Sequence, residues 1–269
     1  MMWQRASWTG LLVAIALVFT GPAVAQEDAQ DEDEEQELPS VDEVTDKLDD
    51  LYRSDASHGT IEMKITTDRG TRTLEIEQWS KGEEKALLVI RSPSREAGTA
   101  TLRNDDGLWN YAPRADRLMR IPSGLLSDDW MGSHLTNDDL VRETSFEEDF
   151  KSEIEWTEHD GERHLKITMD PKPDAPVVWE RVEYLMTAEE WLPVRASFYD
   201  DGEEVRRISF SNVEELGDRK LPTVMTVEPT AGPDKGEKTR MEYKEMEFDA
   251  DVDEGIFTKR GLRRVAKSR

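Results

Sequence analysis

The sequence has no cysteine. Disulfides and thiolate chemistry are therefore excluded, and with them the acylated cysteine that anchors a bacterial lipoprotein. Histidine is scarce as well: His58, His134, His159 and His164 are all there are. His159 and His164 flank the turn Asp160-Gly161 and do not share a helix face, so they make a poor zinc pair. His134 lies beside Ser133 with no acid at a recognisable spacing. Asp138-Asp139 read better as the first turn of a helix capped by Thr136 or Asn137. The GxSxG, glycine-rich phosphate-loop, HExxH and calcium-loop patterns are absent. Carboxylates are too abundant to single out a glycosidase dyad. No catalytic constellation, metal or cofactor is expected, and the chain reads as a non-enzyme.

Positive charge is the next shortage. Thirty-five basic residues stand against 60 acidic ones, for a net charge of −25. A field of that sign repels nucleic acid and anionic lipid head groups at long range, so no nucleic-acid partner is expected. The acidity reads either as solubility in a saline setting or as a docking surface. Long apolar runs are missing too, apart from residues 11–19. That run follows Arg5 and precedes Ala23-Val24-Ala25, the pattern of a secretory signal peptide over residues 1–25 with cleavage after Ala25. An uncleaved anchor is the alternative. No other run approaches the roughly 20 residues that a spanning helix needs. The mature protein is expected to be soluble and periplasmic.

What remains is a patterned chain. Residues 26–39 form an acidic leader with little to bury. Ser40 and Glu43 have the spacing of a capping box. Val41, Val44, Leu48, Leu51 and Tyr52 then recur at helical spacing, which predicts one amphipathic helix over 40–53. After His58-Gly59 the period drops to two. Strands are expected around 61–66, 71–79 and 85–91, with a hairpin turn at Asp68-Arg69-Gly70. The continuous run Ala86-Leu87-Leu88-Val89-Ile90 predicts a strand covered on both faces.

Residues 98–142 break the rhythm. Short strands at 99–102, 108–111 and 118–121 lead into loop and short helix, with greasy side chains set among Ser, Asp and Gly. Residues 144–156 read as irregular with a strand at the end. Strands follow at 163–169, 177–186, 193–199, 204–213, 221–227 and 238–248, with a proline-rich loop at 170–176. Roughly eleven antiparallel strands with few helices make an α+β, mainly antiparallel β domain over residues 40–258. A sheet this long must curl or close, and the apolar helix faces would then lie inside the curl as a plug or lid. Residues 259–269, with six basic side chains, form a basic tail that either docks on the acidic surface or stays solvated.

Candidate ligand-binding residues come from the broken stretch: Trp109, Tyr111, Met119, Leu125, Leu126, Trp130 and Met131, as cavity lining or lid. Large, adaptable side chains suit an acyl chain or apolar peptide. The alternative reading of the same residues is an ordinary core.

Arg95, Gly98-Thr99, the run Leu108-Trp109-Asn110-Tyr111-Ala112-Pro113, residues 117–121 and the run from Trp130-Met131-Gly132-Ser133 to Asn137-Asp138-Asp139-Leu140 carry a family likeness. The chain resembles the outer-membrane lipoprotein-sorting (LolA-like) family. In particular it resembles an exported branch with a W-x-Y-x-P strand followed by W-x-G-S-x-x-x-N-D-D-L. The resemblance extends over roughly residues 40–257, with its specific motifs at 95–140. It implies a strongly curved, incomplete (half-open) barrel whose concave apolar face is covered by helices. It also implies a periplasmic carrier that shields a lipid or lipoprotein acyl chains on the way towards the outer membrane. The alternative it implies is a non-enzymatic adaptor or envelope-stress sensor, as RseB-like regulators are. Implied partners are an inner-membrane RND-type transporter or a lipoprotein-release complex. The best-known carriers tie lid to barrel with an inward arginine, and no residue of this sequence is matched to it.

Overall fold

Alternation of apolar and polar residues builds one antiparallel sheet from almost the whole chain. The computed structural model describes residues 37–82, 84–137, 139, 149–173, 175 and 177–268. The expected signal peptide, most of the acidic leader and the helix expected from Asp138 onward lie outside the described residues or at their margin. The description below concerns the unit Leu38–Arg269.

The strands are β1 (Ala56–Thr67), β2 (Gly70–Lys81), β3 (Lys85–Ser92), β4 (Ala100–Asn104), β5 (Gly107–Ala112), β6 (Arg117–Arg120), β7 (Phe150–His159), β8 (Glu162–Pro171), β9 (Arg181–Thr187), β10 (Pro193–Asp200), β11 (Glu203–Leu216), β12 (Arg219–Pro229) and β13 (Lys238–Phe248). Their order is β6-β5-β4-β3-β2-β1-β13-β12-β11-β10-β9-β8-β7, and β6 and β7 are never joined. The sheet is a curved, incomplete barrel made of two meanders joined where β1 pairs with β13.

Thirteen strands are present among the described residues where about eleven were expected. The weakest signals belong to the two edges. β6 has four residues, and the apolar residues of β7 sit among carboxylates. Asp170 and Pro171, expected in a loop, end β8 instead. Proline fits there because pairing with β9 stops at Met169↔Val182, so no ladder bond needs its missing N–H.

Two helices are present among the described residues: α1 (Val41–Tyr52) and α2 (Lys259–Lys267). The Ser40 amide donates to Glu43 Oε2 at 2.8 Å and the Glu43 amide to Ser40 Oγ at 3.3 Å, completing the capping box. α1 covers Phe150, Leu165, Ile167 and Met186 at the β7–β10 end, and Tyr52 stacks on Tyr243 of β13. Most residues expected as a basic tail are α2. Its Leu262 and Ala266 are buried on β3–β5 together with the turn Glu254–Phe257.

β3 divides the two sides. Leu87 and Val89 face α2, while Leu88 and Ile90 face the concave side. A strand covered on both faces is what its unbroken apolar run predicts. α1 and residues 123–137 lie on the concave side, and α2 lies on the other.

Candidate functional site

The chain leaves β6 at Ile121 and crosses onto the concave face. This cover, residues 123–137, holds its own shape. The Trp130 amide donates to the Leu135 carbonyl at 2.7 Å. Asn137 Nδ2 donates to the carbonyls of Leu125 and Asp128 at 3.0 and 3.1 Å. Met131 turns the chain with φ of 53°, in the left-handed region, so that the side chain before it points down into the sheet.

That side chain is Trp130, only 2% exposed. Its indole packs among Ile61, Met63, Ile65, Leu74, Ile76 and Val227. Its Nε1 donates to Thr101 Oγ1 at 3.0 Å, and that hydroxyl donates on to Asn110 Oδ1 at 2.7 Å. The polar tip of the largest buried side chain is thus satisfied, and aliphatic and thioether groups make up the rest of the wall.

Three polar anchors, at Arg72, His134 and Arg206, hold the cover down. Arg72 of β2 donates to the Met131 carbonyl and pairs with Glu96 at 3.4 Å. His134 is nearly buried and is held by Thr239 and Glu237. Its amide donates to Thr239 Oγ1 at 3.0 Å, its Nδ1 lies 2.9 Å from the same oxygen, and its Nε2 lies 3.2 Å from Glu237 Oε2. Every bond is satisfied when the Thr239 hydroxyl donates to Nδ1 and Nε2–H donates to the carboxylate. Arg206 of β11 is 7% exposed, with its guanidinium 5.2 Å from the Phe198 ring centre and 5.9 Å from that of Trp179. Its Nη1 pairs with Asp139 Oδ1 at 3.1 Å, and its Nε has no hydrogen-bond partner among the described residues.

Charge at this anchor depends on pH. The amide of Asp68 first, then His134, holds the Glu237 carboxyl below the usual carboxylate range. A folded pKa below the unfolded one adds stability above the unfolded value and loses it as pH falls through the folded value. Wild type is therefore expected to melt above a Glu237→Gln variant at neutral pH, with the gap closing in acid below about pH 4. Asp129 runs the other way. Burial first and then Asp234 raise its carboxyl, so acid relieves a cost there. Comparing wild type and variant at each pH isolates Glu237. A gap that widens in acid contradicts the assignment.

The seven expected lining or lid residues do not form one group. Trp130 and Met131 meet on the concave side. Trp109 and Tyr111 belong to the opposite face, packed under α2. Lys259 Nζ sits 3.9 Å from the centre of the Trp109 ring, and the Tyr111 hydroxyl donates to Asp116 Oδ1 at 2.7 Å. Met119 and Leu125 are each 43% exposed, and Leu126 is half-buried. The reason is parity: Trp109 and Tyr111 share one face of β5, whereas Met119 is the cross-strand partner of Asn110, which faces the other way. Arg206 was missed, although the alternation Arg206, Ile208, Phe210 places an arginine at an inward position of β11.

Where the cover meets the β1–β2 turn, an open cleft of about 1130 Å³ is lined by Ile65, Arg72, Asp129, Met131 and His134 among others. Its polar walls suit an entrance better than an acyl pocket. Among the described residues no group of side chains could hold a metal ion, and no helix is long and apolar enough to cross a membrane.

A family model described as an uncharacterized protein matches residues 82–264. No curated protein matches the sequence. Solved structures share the fold. An outer membrane lipoprotein-sorting protein domain from Vibrio parahaemolyticus is 21% identical, with 82% of this chain and 97% of that one covered and a TM-score of 0.68. A DUF1329 family protein from Desulfovibrio piger is 22% identical, with 82% and 96% covered and a TM-score of 0.72. A LolA superfamily protein from Nitrosomonas europaea is 21% identical, with 83% and 99% covered and a TM-score of 0.68. At these identities the likeness is one of fold.

Proposed function

Because the chain belongs to the family whose model spans residues 82–264 and has the LolA-like fold, we propose that it is a non-enzymatic periplasmic carrier. Its cargo is a lipid or the acyl chains of a lipoprotein, shielded on the concave face and passed towards the outer membrane. The observation that supports this most is the apolar wall under a separately built cover, with Trp130 lying in the space that a hydrocarbon chain would take.

The magnitudes are compatible. Each methylene withdrawn from water contributes about 0.8 kcal/mol, so a chain of about 16 carbons brings about 13 kcal/mol before ordering costs. The cover opposes it with one indole, two smaller apolar side chains and three polar anchors. An acyl chain can displace such a cover, and a receptor of similar affinity can win the chain back.

The test is saturable binding of a fluorescent fatty acid, followed in wild type and in Asp139→Ala. Removing Asp139 leaves Arg206 without its carboxylate. The open cover should then gain about 1.4 kcal/mol, the low end of what an unpaired buried group costs, and the probe should enter roughly tenfold faster. Absence of saturable binding in both proteins, with no lipid co-purifying in native mass spectrometry, rejects the carrier. Recovery of an inner-membrane transporter of the RND type without lipid favours the adaptor reading.

A further inference from the structure

On a chain with net charge −25, one end of the sheet is basic. α2 carries Lys259, Arg260, Arg263, Arg264 and Lys267 and no acid. The adjoining edge adds Arg114, Arg117 and Arg120, all exposed. They meet along the β6 edge, with α2 and Arg120 on one face of the sheet and Arg117 on the other. Lys259 lies on the Trp109 ring, and Trp109 is the cross-strand partner of Arg120. At the other end of α2, Lys267 pairs at 3.3 Å with Asp116, in the turn that holds Arg114. Lys259, Arg264 and Lys267 are each paired with an aspartate. Arg114, Arg117, Arg120 and Arg260 make no ion pair with another described residue. Two of the largest exposed apolar side chains are here too: Met119 in β6, and Leu125 in the turn Ser123–Leu125 that follows it.

Charged residues on a free strand edge guard against pairing with other chains, which accounts for Arg117 and Arg120. It does not account for Arg260, which stands on a helix, or for Met119 and Leu125, which a guarded edge would leave out. Unpaired arginines around exposed apolar side chains match an interfacial site, where cations meet lipid phosphates and apolar groups enter the acyl boundary.

We propose that this end, α2 with the β6 edge, docks on a bilayer containing anionic phospholipid. The acidic remainder of the molecule does not oppose it. Charges more than about 8 Å from the surface are largely screened at physiological salt, so the basic end dominates once it is in contact. Docking does not depend on the carrier reading. Where that reading holds, docking sets the root of the cover, Ser123–Leu125, against the membrane.

Flotation of the purified full chain with vesicles tests this. Phosphatidylcholine vesicles with a share of phosphatidylglycerol should carry the protein, and pure phosphatidylcholine vesicles should not. High salt should release it. The triple variant Arg114→Glu, Arg117→Glu, Arg260→Glu should bind at least about tenfold more weakly, since each basic residue near such a surface is worth roughly fivefold. Equal binding to neutral vesicles, no binding to anionic ones, or an unchanged triple variant overturns the proposal. So does binding to polyglutamate without binding to anionic vesicles, which would point to an acidic protein partner. If the variant misfolds by circular dichroism, the salt dependence of the wild-type protein decides. The fatty-acid probe separates the two readings: probe binding without vesicle binding removes the docking and leaves the carrier.

Discussion

Trp130→Ala should destabilise the protein by about 3–5 kcal/mol, the range for truncating a large buried aromatic side chain. For a domain of this size that lowers the melting temperature by about 6–20 °C. The loss has two sources. The indole leaves the wall formed by Ile61, Met63, Ile65 and Leu74, and those side chains sit on paired strands that cannot close over the gap. The cover also loses the side chain that seats it, so Arg72, His134 and Arg206 must hold it alone. Trp130→Phe separates packing from hydrogen bonding. It keeps most of the ring but gives up the bond to Thr101, and about 1 kcal/mol should be lost. Thermal and urea unfolding of the three proteins measure both steps. A Trp130→Ala protein that melts within about 2 °C of wild type would mean that the indole does not fill the concave side.

The second large effect runs against helix propensity. Alanine is favoured over glycine by about 1 kcal/mol inside a helix, yet Gly261→Ala in α2 should cost about 3 kcal/mol or more. A Cβ at this position would lie 2.0 Å from the Gly255 carbonyl oxygen, 2.6 Å from Ile256 Cα and 2.7 Å from the Ile256 carbonyl oxygen. All three are backbone atoms, so no side chain can rotate away. α2 must lift from the turn Glu254–Phe257, which exposes Leu262, Ala266 and Ile256. Arg260→Ala, on the exposed side of the same helix, should change stability by less than about 0.5 kcal/mol. Hydrogen exchange across residues 254–268 reads the result directly. Unchanged protection in Gly261→Ala would show that the close approach is not needed.

Much of the architecture was legible because it depends on local patterns. The capping box at Ser40 and Glu43, the alternation of β1 and β2, and the unbroken run of β3 each declare their structure within a few residues. The site was less legible because it depends on which way side chains point after several turns. Trp109 and Trp130 are close in sequence and similar in chemistry, yet strand parity turns Trp109 under α2 while the left-handed turn at Met131 points Trp130 onto the concave side. α2 was hidden by its charge. Leu262, Val265 and Ala266 keep helical spacing and Thr258 caps the first turn, accepting from the Gly261 amide at 2.9 Å, but five cations in nine residues resemble a solvated tail. The alternation of β11 already points Arg206 inward, but its pairing is not legible locally, since its partner Asp139 is 67 positions away.

The pairing of β1 with β13 has a consequence for the making of the chain. Each meander can zip up from neighbouring hairpins as it is synthesised, but the seam between them joins Ser57 to Phe248. Until the last strand arrives, β1 offers a long unpaired backbone ladder to any other extended polypeptide nearby. A chain cut short before residue 238 should therefore clump rather than persist as a smaller soluble fragment, because its most adhesive border would never be sealed.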